Sequence, residues 1–258
     1  MAASLEGRGL LAVFAHPDDE SLTCGGLLAL CADAGMQVTL VCATRGEGGA
    51  DHSAGGEPLA VRRVRELAAA ADVLGLHTVA VLDFEDGMLP WVDGESLEEA
   101  VAAQITHRLP DVVVTFDADG VYWHPDHVAV HEATTAAVIK CGAAAPALYY
   151  ATVPEGRMRA LVDAVGDRLP ADTPADILGV EDVDAFGTDA QAPTIVADVS
   201  AVVGRKLLAL QCHGSQSAGG PLSVLTLEEA RTYLGVEHLR RAAVGDAAST
   251  YLEDLFRN

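Results

Sequence analysis

The sequence predicts an α/β protein built on a doubly wound, mostly parallel sheet. Three observations lead there. Short apolar runs alternate with longer amphipathic stretches over roughly the first 150 residues. The runs are apolar throughout rather than at every second residue, which is the pattern of strands covered on both faces. Each stretch between them is long enough for a crossover helix, and parallel neighbours need one. The expected architecture is three-layered and Rossmann-like, with strand order 3-2-1-4-5 and a less regular C-terminal subregion.

The elements follow in order. Gly9 to Ala15 is a continuous apolar run and the first strand. Glu20 to Ala34 has helical periodicity and stops at Gly35, a residue suited to the left-handed turn after a helix. Val38 to Ala43 is the second strand. Leu59 to Leu74 is an amphipathic helix with Arg62, Arg63, Arg65 and Glu66 on its polar side, closed by Gly75. Thr78 to Leu82 is the third strand, and Leu97 to Leu109 a helix stopped by Pro110. Val112 to Phe116 is the fourth strand, Asp126 to Cys141 its helix, and Leu148 to Val153 the fifth strand. Beyond that, Met158 to Leu169 reads as a helix and Ala171 to Thr188, rich in Asp, Gly and Pro, as a loop or edge segment. Thr194 to Val199 is a strand, and Ser200 to Cys212 and Leu227 to Leu239 are helices. No repeat or linker divides the chain, so one domain over residues 1–258 is expected, with 155–258 as the C-terminal subregion.

Composition bounds the function. The net charge is −22, from 38 acidic residues against 16 Lys and Arg, which repels nucleic acid and anionic lipid. No apolar run reaches the roughly 18 residues of a membrane-spanning helix. The segment Met1 to Gly9 lacks the basic start and apolar stretch of a signal peptide, so a cytoplasmic protein is expected. The cysteines are Cys24, Cys31, Cys42, Cys141 and Cys212, an odd number without a Cys-x-x-Cys pair; buried, reduced thiols are the expectation. The glycine-rich stretch Gly46 to Gly56 has neither phosphate-loop nor dinucleotide-binding spacing.

One phrase occurs twice. His16-Pro17-Asp18-Asp19-Glu20 follows the first strand, and His124-Pro125-Asp126-His127 follows the fourth. Pro at the first position of a helix and Asp or Glu in its first turn are also ordinary helix starts. Position separates the two explanations. In strand order 3-2-1-4-5 the first and fourth strands are neighbours, and the connection reverses direction between them. The crevice at their carboxyl ends is where such sheets bind ligands. Three histidines and several carboxylates thus meet at one point.

That set suits a metal site with three ligands and an open position. Imidazole and carboxylate match Zn²⁺, and also Fe²⁺ or Mn²⁺. The short turn aims His16 and one Asp at a single point, and His127 adds a third ligand from across the crevice. A water on the metal has its pKa lowered towards about 7. The spare Asp is then available as general base and the spare His to protonate a leaving amine.

The paired phrases resemble those of the LmbE-like/PIG-L family of metal-dependent N-deacetylases, which includes enzymes acting on N-acetylglucosaminyl inositol compounds, mycothiol, bacillithiol and antibiotic sugars. The resemblance continues through Gly46-Glu47-Gly48, the helix with Arg63, Glu66, Leu67, Leu74 and Gly75, Asp86-Gly87 and His213-Gly214-Ser215-Gln216. It implies His16, Asp19 and His127 as zinc ligands and Asp18 as the base. It implies His124 as the general acid or the charge on the tetrahedral intermediate, and Asp126 as the carboxylate that orients a histidine. Tyr122 matches a tyrosine facing the substrate carbonyl; Arg63 and Asp86 match positions that bind the sugar. Trp123 stands where small residues such as Gly are common in the family.

The function expected is therefore removal of an N-acetyl or related N-acyl group from an N-acetylglucosamine-like sugar or glycoside. An amidase of mycothiol-type thiol conjugates on the same site is the alternative. From other classes, two His and one carboxylate also make a non-haem Fe²⁺ oxygenase site, and the cleft alone would serve a sugar-binding module. Specificity is expected in the loops Gly48 to Pro58, Asp86 to Glu95 and Ala171 to Gln191. His131, one turn after His127, imitates a metal pair but reads better as a helix-face residue, and His213 fits either the cleft or a helix cap.

Overall fold

A computed structural model describes residues 5–52, 56–169, 173 and 175–256. Its centre is one seven-stranded sheet: β1 (Gly9–Phe14), β2 (Gln37–Cys42), β3 (Thr78–Val81), β4 (Val112–Phe116), β5 (Ala147–Thr152), β6 (Ile195–Asp198) and β7 (Val236–Gly245), in the order β3-β2-β1-β4-β5-β7-β6. The first five strands are parallel in the expected order 3-2-1-4-5. β7 runs antiparallel between β5 and β6.

The helices are α1 (Asp19–Asp33), α2 (Leu59–Leu74), α3 (Gly94–Arg108), the distorted turn α4 (Gly120–Trp123), α5 (Pro125–Lys140), α6 (Arg157–Val165), α7 (Val203–Cys212), α8 (Gly214–Ser217), α9 (Leu227–Leu234) and α10 (Tyr251–Leu255). Right-handed crossovers dictate the layers. The chain winds from β1 through α1 and α2 to β3, then returns through α3 to β4 and α5. These two directions put α1 and α2 on one face and α3 and α5 on the other. α7 packs with α1 and α2, and α3 packs with α5. The strands at the centre read as apolar on both faces because both faces are covered; every residue of β4 and β5 is buried.

The C-terminal subregion holds the main correction. The helix expected over Leu227 to Leu239 ends at Leu234, and Val236–Gly245 is a strand. Gly235 interrupts the helix, and β7 is hydrogen-bonded on both sides, so sheet pairing overrides the helical pattern. Elsewhere α6 gives way at Gly166 to a short 3₁₀ turn before the expected end. The cysteines are all free, with Cys141 and Cys212 half-buried rather than buried. Parts of two loops expected to set specificity, residues 53–55 and residues 171, 172 and 174, lie outside the described residues. Among those described, no helix is long and apolar enough to cross a membrane.

One irregularity in α1 matters for support. Cys24 has non-helical dihedrals (φ −144°, ψ 20°), which breaks the hydrogen-bond ladder there. The freed N–H groups of Gly26 and Leu27 donate to the Glu237 carboxylate at 2.8 and 2.7 Å. Glu237 also meets Lys206 Nζ at 2.6 Å, with both side chains almost fully buried. Gly26 is required by contact: a Cβ there would lie 2.6 Å from Val199 side-chain atoms.

Candidate active site

The two phrases meet as the topology requires. Pro17 and Asp18 turn the chain from the end of β1 into α1, and Pro125 opens α5 after β4 and the α4 turn. His16, Asp18 and Asp19 come from the first turn, and Tyr122, His124, Asp126 and His127 from the second. All but Asp126 and His127 line one cavity of about 550 Å³, together with Arg63 and Asp86.

Three donors converge. His16 Nδ1 is 3.2 Å from His127 Nε2 and 3.5 Å from Asp19 Oδ2. Asp19 Oδ1 is 3.2 Å from His127 Nε2. Asp19 meets the two rings through different oxygens, and the separations are near the donor–donor distances that ligand bonds of about 2.0–2.1 Å at tetrahedral angles give. The far side of each ring fixes the tautomer. His127 Nδ1 faces the carbonyl of Gly120 at 3.0 Å, which can only accept, so that nitrogen carries the proton. His16 Nε2 faces Asp86 Oδ1 at 2.9 Å and Asp126 Oδ2 at 3.2 Å, so it is likewise the donor. A cation between them would meet two imidazole lone pairs and a carboxylate, taking the place of the proton on His16 Nδ1. The residues fit a divalent metal on this chemistry. His16 also approaches His124 and His127 closely enough for an all-histidine set, and a His16–Asp86–Asp126 set lies behind it. The second faces the protonated side of His16 and supports the ring rather than a metal.

The support is extensive. Asp126 is fully buried, and besides His16 it accepts the N–H groups of Gly87 and Leu89 at 2.7 and 3.2 Å. The histidine it orients is His16, not His124. Phe116 stacks on the His127 ring at 4.0 Å. Asp18 Oδ2 accepts from Arg63 at 2.9 Å. Arg63 donates further to Pro17 O and Gly46 O, at 2.6 and 2.7 Å. Asp86 Oδ2 accepts from Gly48 N at 2.8 Å. Arg63 and Asp86 therefore line the cavity with most of their polar atoms already engaged by the protein.

Burial and neighbours set the charges. Burial pushes Asp18 up to about 7 against the opposing pull of Arg63. Burial alone would lower the His16 imidazole, but hydrogen bonds to Asp126, Asp19 and Asp86 hold it well above its ordinary value. Burial would raise Asp19; His127 and His16 outweigh it and hold that carboxyl well below its usual range. Burial, with His127 and His16 adding to it, lowers His124 to about 4, leaving the ring neutral near pH 7. Its Nδ1 accepts the N–H of Asp126 at 3.2 Å, so Nε2 bears the proton.

The loop carrying Tyr122 is strained: Val121 and Trp123 both have positive φ, 69° and 62°. That conformation explains why a glycine suits position 123. Trp123 itself is 69% exposed and is absent from the cavity wall, so its bulk leaves the pocket open. Tyr122 packs on Phe186 with ring centroids 4.9 Å apart.

Several wall residues carry no local sequence signal. Leu22, Ile177, Val180 and Phe186 give the wall its apolar part, and Gly48, Asp86 and Gln216 belong to the same wall. Only the fold brings residues 177–186 to the mouth of the cavity, and they fall within a loop expected to set specificity. His131 is turned away, with Nδ1 2.9 Å from Phe116 O. His213 lies between α7 and α8, fully buried, and reaches Glu20 instead of the cavity.

Comparison with known proteins places this geometry in a lineage. A solved structure of a conserved protein from Thermus thermophilus is similar, with TM-score 0.60 and 26% identity over 90% of this chain and 92% of that one. The 4-carboxy-2-hydroxymuconate hydratase GalB of Pseudomonas putida KT2440 shares the fold at TM-score 0.62 and 20% identity, over 94% of this chain and all of that one. A hydratase on the same scaffold shows that the fold alone does not fix the reaction. Sequence is more specific. The 1D-myo-inositol 2-acetamido-2-deoxy-alpha-D-glucopyranoside deacetylase of Acidothermus cellulolyticus is 33% identical over 96% of this chain and 94% of its own length. The family model described as PIG-L, GlcNAc-PI de-N-acetylase, matches residues 11–138, the stretch that carries both phrases. On these grounds the chain belongs to the PIG-L family.

Proposed function

We propose that this protein is a zinc-dependent N-deacetylase of N-acetylglucosaminyl glycosides. The observation that carries the reading is the convergence of His16, Asp19 and His127, each ring anchored through its far nitrogen, next to Asp18 in the cavity wall. The name of the 33%-identical relative supports the substrate class. His16, Asp19 and His127 hold the metal. A divalent cation there supplies Lewis acidity and lowers the pKa of a coordinated water towards about 7.

The chain's own groups do the rest. Asp18 takes a proton from water as it attacks the acetyl carbonyl and delivers it to the amine nitrogen when the C–N bond breaks. Its elevated pKa suits both transfers. His124, neutral at rest, turns its Nε2–H towards the developing oxyanion, as does the Tyr122 hydroxyl. The ring stays neutral and acts as a hydrogen-bond donor, its Nδ1 already engaged by the Asp126 N–H. Asp126 and Asp86 keep His16 in the binding tautomer. Arg63 holds Asp18 in place and, with Asp86, edges the sugar site. A protein of net charge −22 with so few free cations at its cavity suits a neutral glycoside better than a polyanion.

The test is amine release from 1D-myo-inositol 2-acetamido-2-deoxy-α-D-glucopyranoside and from N-acetylglucosamine, with and without chelator and with and without O₂. Release abolished by chelator and indifferent to O₂ is expected. Binding without release from the metal-loaded protein would instead favour a sugar-binding module, and preferential cleavage of a thiol conjugate the amidase. Asp18→Ala is expected to lose about 10²–10⁴-fold in kcat while retaining metal. Unchanged turnover would remove Asp18 as the base.

A further inference from the structure

Asp18 stands in a backbone conformation that an L-residue rarely adopts, φ 117° and ψ −26°. Such a state persists only where the surroundings over-determine it. Its N–H donates to Glu20 Oε2 at 3.0 Å. Glu20 is fully buried and does not line the cavity. A carboxylate there is costly unless it is paired and hydrogen-bonded. Its other oxygen accepts from Ser21 Oγ and faces His213 Nε2 at 3.0 Å. His213 is itself fully buried, and its Nδ1 has no hydrogen-bond partner, so the ring's polar contacts are all on the Glu20 side.

The segment that brings His213 there is anchored independently. Ser215 N and Oγ both donate to the Glu66 carboxylate of α2, at 2.9 and 2.6 Å. Gln216 Nε2 donates to Ala50 O at 2.6 Å, and the His52 N–H to Ser215 O at 2.9 Å. Residues far apart in the chain thus form a rigid post behind the base. We infer that Glu20 and His213 are positioning residues: the imidazole fixes the Glu20 carboxylate, and that carboxylate pins the strained amide of Asp18 so that its side chain faces the metal-binding triad. This rests on the reading of Asp18 as the base.

Two substitutions separate positioning from mere filling of space. His213→Gln keeps a donor near the place of Nε2, whereas His213→Asn offers one only near Nδ1. Both are polar and smaller than the ring. Assayed on 1D-myo-inositol 2-acetamido-2-deoxy-α-D-glucopyranoside with saturating Zn²⁺, His213→Gln is expected to stay within about threefold of wild-type kcat. His213→Asn is expected to lose about 10–100-fold in kcat, the range typical of groups that orient a site from behind, with KM and bound metal unchanged. Added to Asp18→Ala, His213→Asn is expected to cause no further loss, because the residue it positions is gone. Equal kcat in the Gln and Asn variants, or a loss confined to KM or metal content, would overturn the inference. Wild-type turnover by Asp18→Ala would instead overturn the base assignment, a separate result. If His213→Asn does not fold, Glu20→Gln decides: an oxygen remains for the Asp18 amide, so kcat must hold within about tenfold, and a loss as deep as that of Asp18→Ala sinks the idea.

Discussion

His16 Nδ1 and His127 Nε2 stand 3.2 Å apart, each ring committed through its other nitrogen as a donor to the protein. The Asp19 carboxylate reaches the same point, and a cation bound there would take the place of the proton that the raised His16 imidazole otherwise holds. Only the folded state brings these three groups together.

Metal is thus expected to stabilise the fold as well as support turnover. At a free Zn²⁺ concentration about one hundred times Kd, linkage gives about 2.7 kcal/mol. Urea unfolding at fixed Zn²⁺, against the same protein in chelator, measures it. A midpoint that ignores both metal and chelator would mean that the triad holds no ion.

Removal of the carboxylates behind His16 is expected to weaken metal binding in a definite order. Asp86 touches the ring more closely, at 2.9 Å against 3.2 Å for Asp126. Asp126 nevertheless also holds the N–H groups of Gly87 and Leu89, and so the loop on which Asp86 sits. Asp126→Ala therefore loses both contacts, and Asp86→Ala only one. Zn²⁺ affinity from competition with a chromophoric chelator is expected to fall by about 10–100-fold for Asp126→Ala and by less for Asp86→Ala. The reverse order would mean that the loop keeps its place without Asp126.

These two carboxylates also show what a reader of the sequence can and cannot see. Asp126 is legible because its phrase sits at a strand end and repeats an earlier one, and the parallel core is legible because its strands are apolar throughout. Asp86 is visible as a candidate, but its partner His16 is not, since nothing local says which way a loop carboxylate turns. Glu20 lies inside the first phrase, yet its contact with His213 spans 193 residues. β7 was hidden for a similar reason: Glu237 to Leu239 continue a helical pattern, and only pairing with β5 and β6 makes them a strand.

The pairing of His213 with Glu20 has a pH signature. Burial alone would lower the His213 imidazole, but Glu20 outweighs it and raises the ring above its ordinary 6.5. The folded state then holds the proton more tightly than the unfolded chain does. The contribution is complete below 6.5 and is lost as pH rises through the folded value. The stability gap between wild type and His213→Gln, from urea melts at constant Zn²⁺, is accordingly expected to narrow as pH increases from below 6.5. A gap that widens would mean that the buried ring is neutral.

Lys206 and Glu237 test the base of α1. Both are almost fully buried, but they are not equivalent. Glu237 serves Lys206 and two backbone N–H groups left free by the break at Cys24. Lys206 Nζ makes its hydrogen bond to Glu237. Glu237→Ala leaves a buried ammonium and two unpaired amides, and is expected to cost about 3–5 kcal/mol. Lys206→Met leaves a carboxylate that keeps both N–H bonds, and should cost clearly less. Their difference in urea midpoint, at unchanged m-value, is the measurement. If Lys206→Met proves the more damaging, the ion pair and not the amide pair is what holds the break in α1, and Glu237 is not its cap.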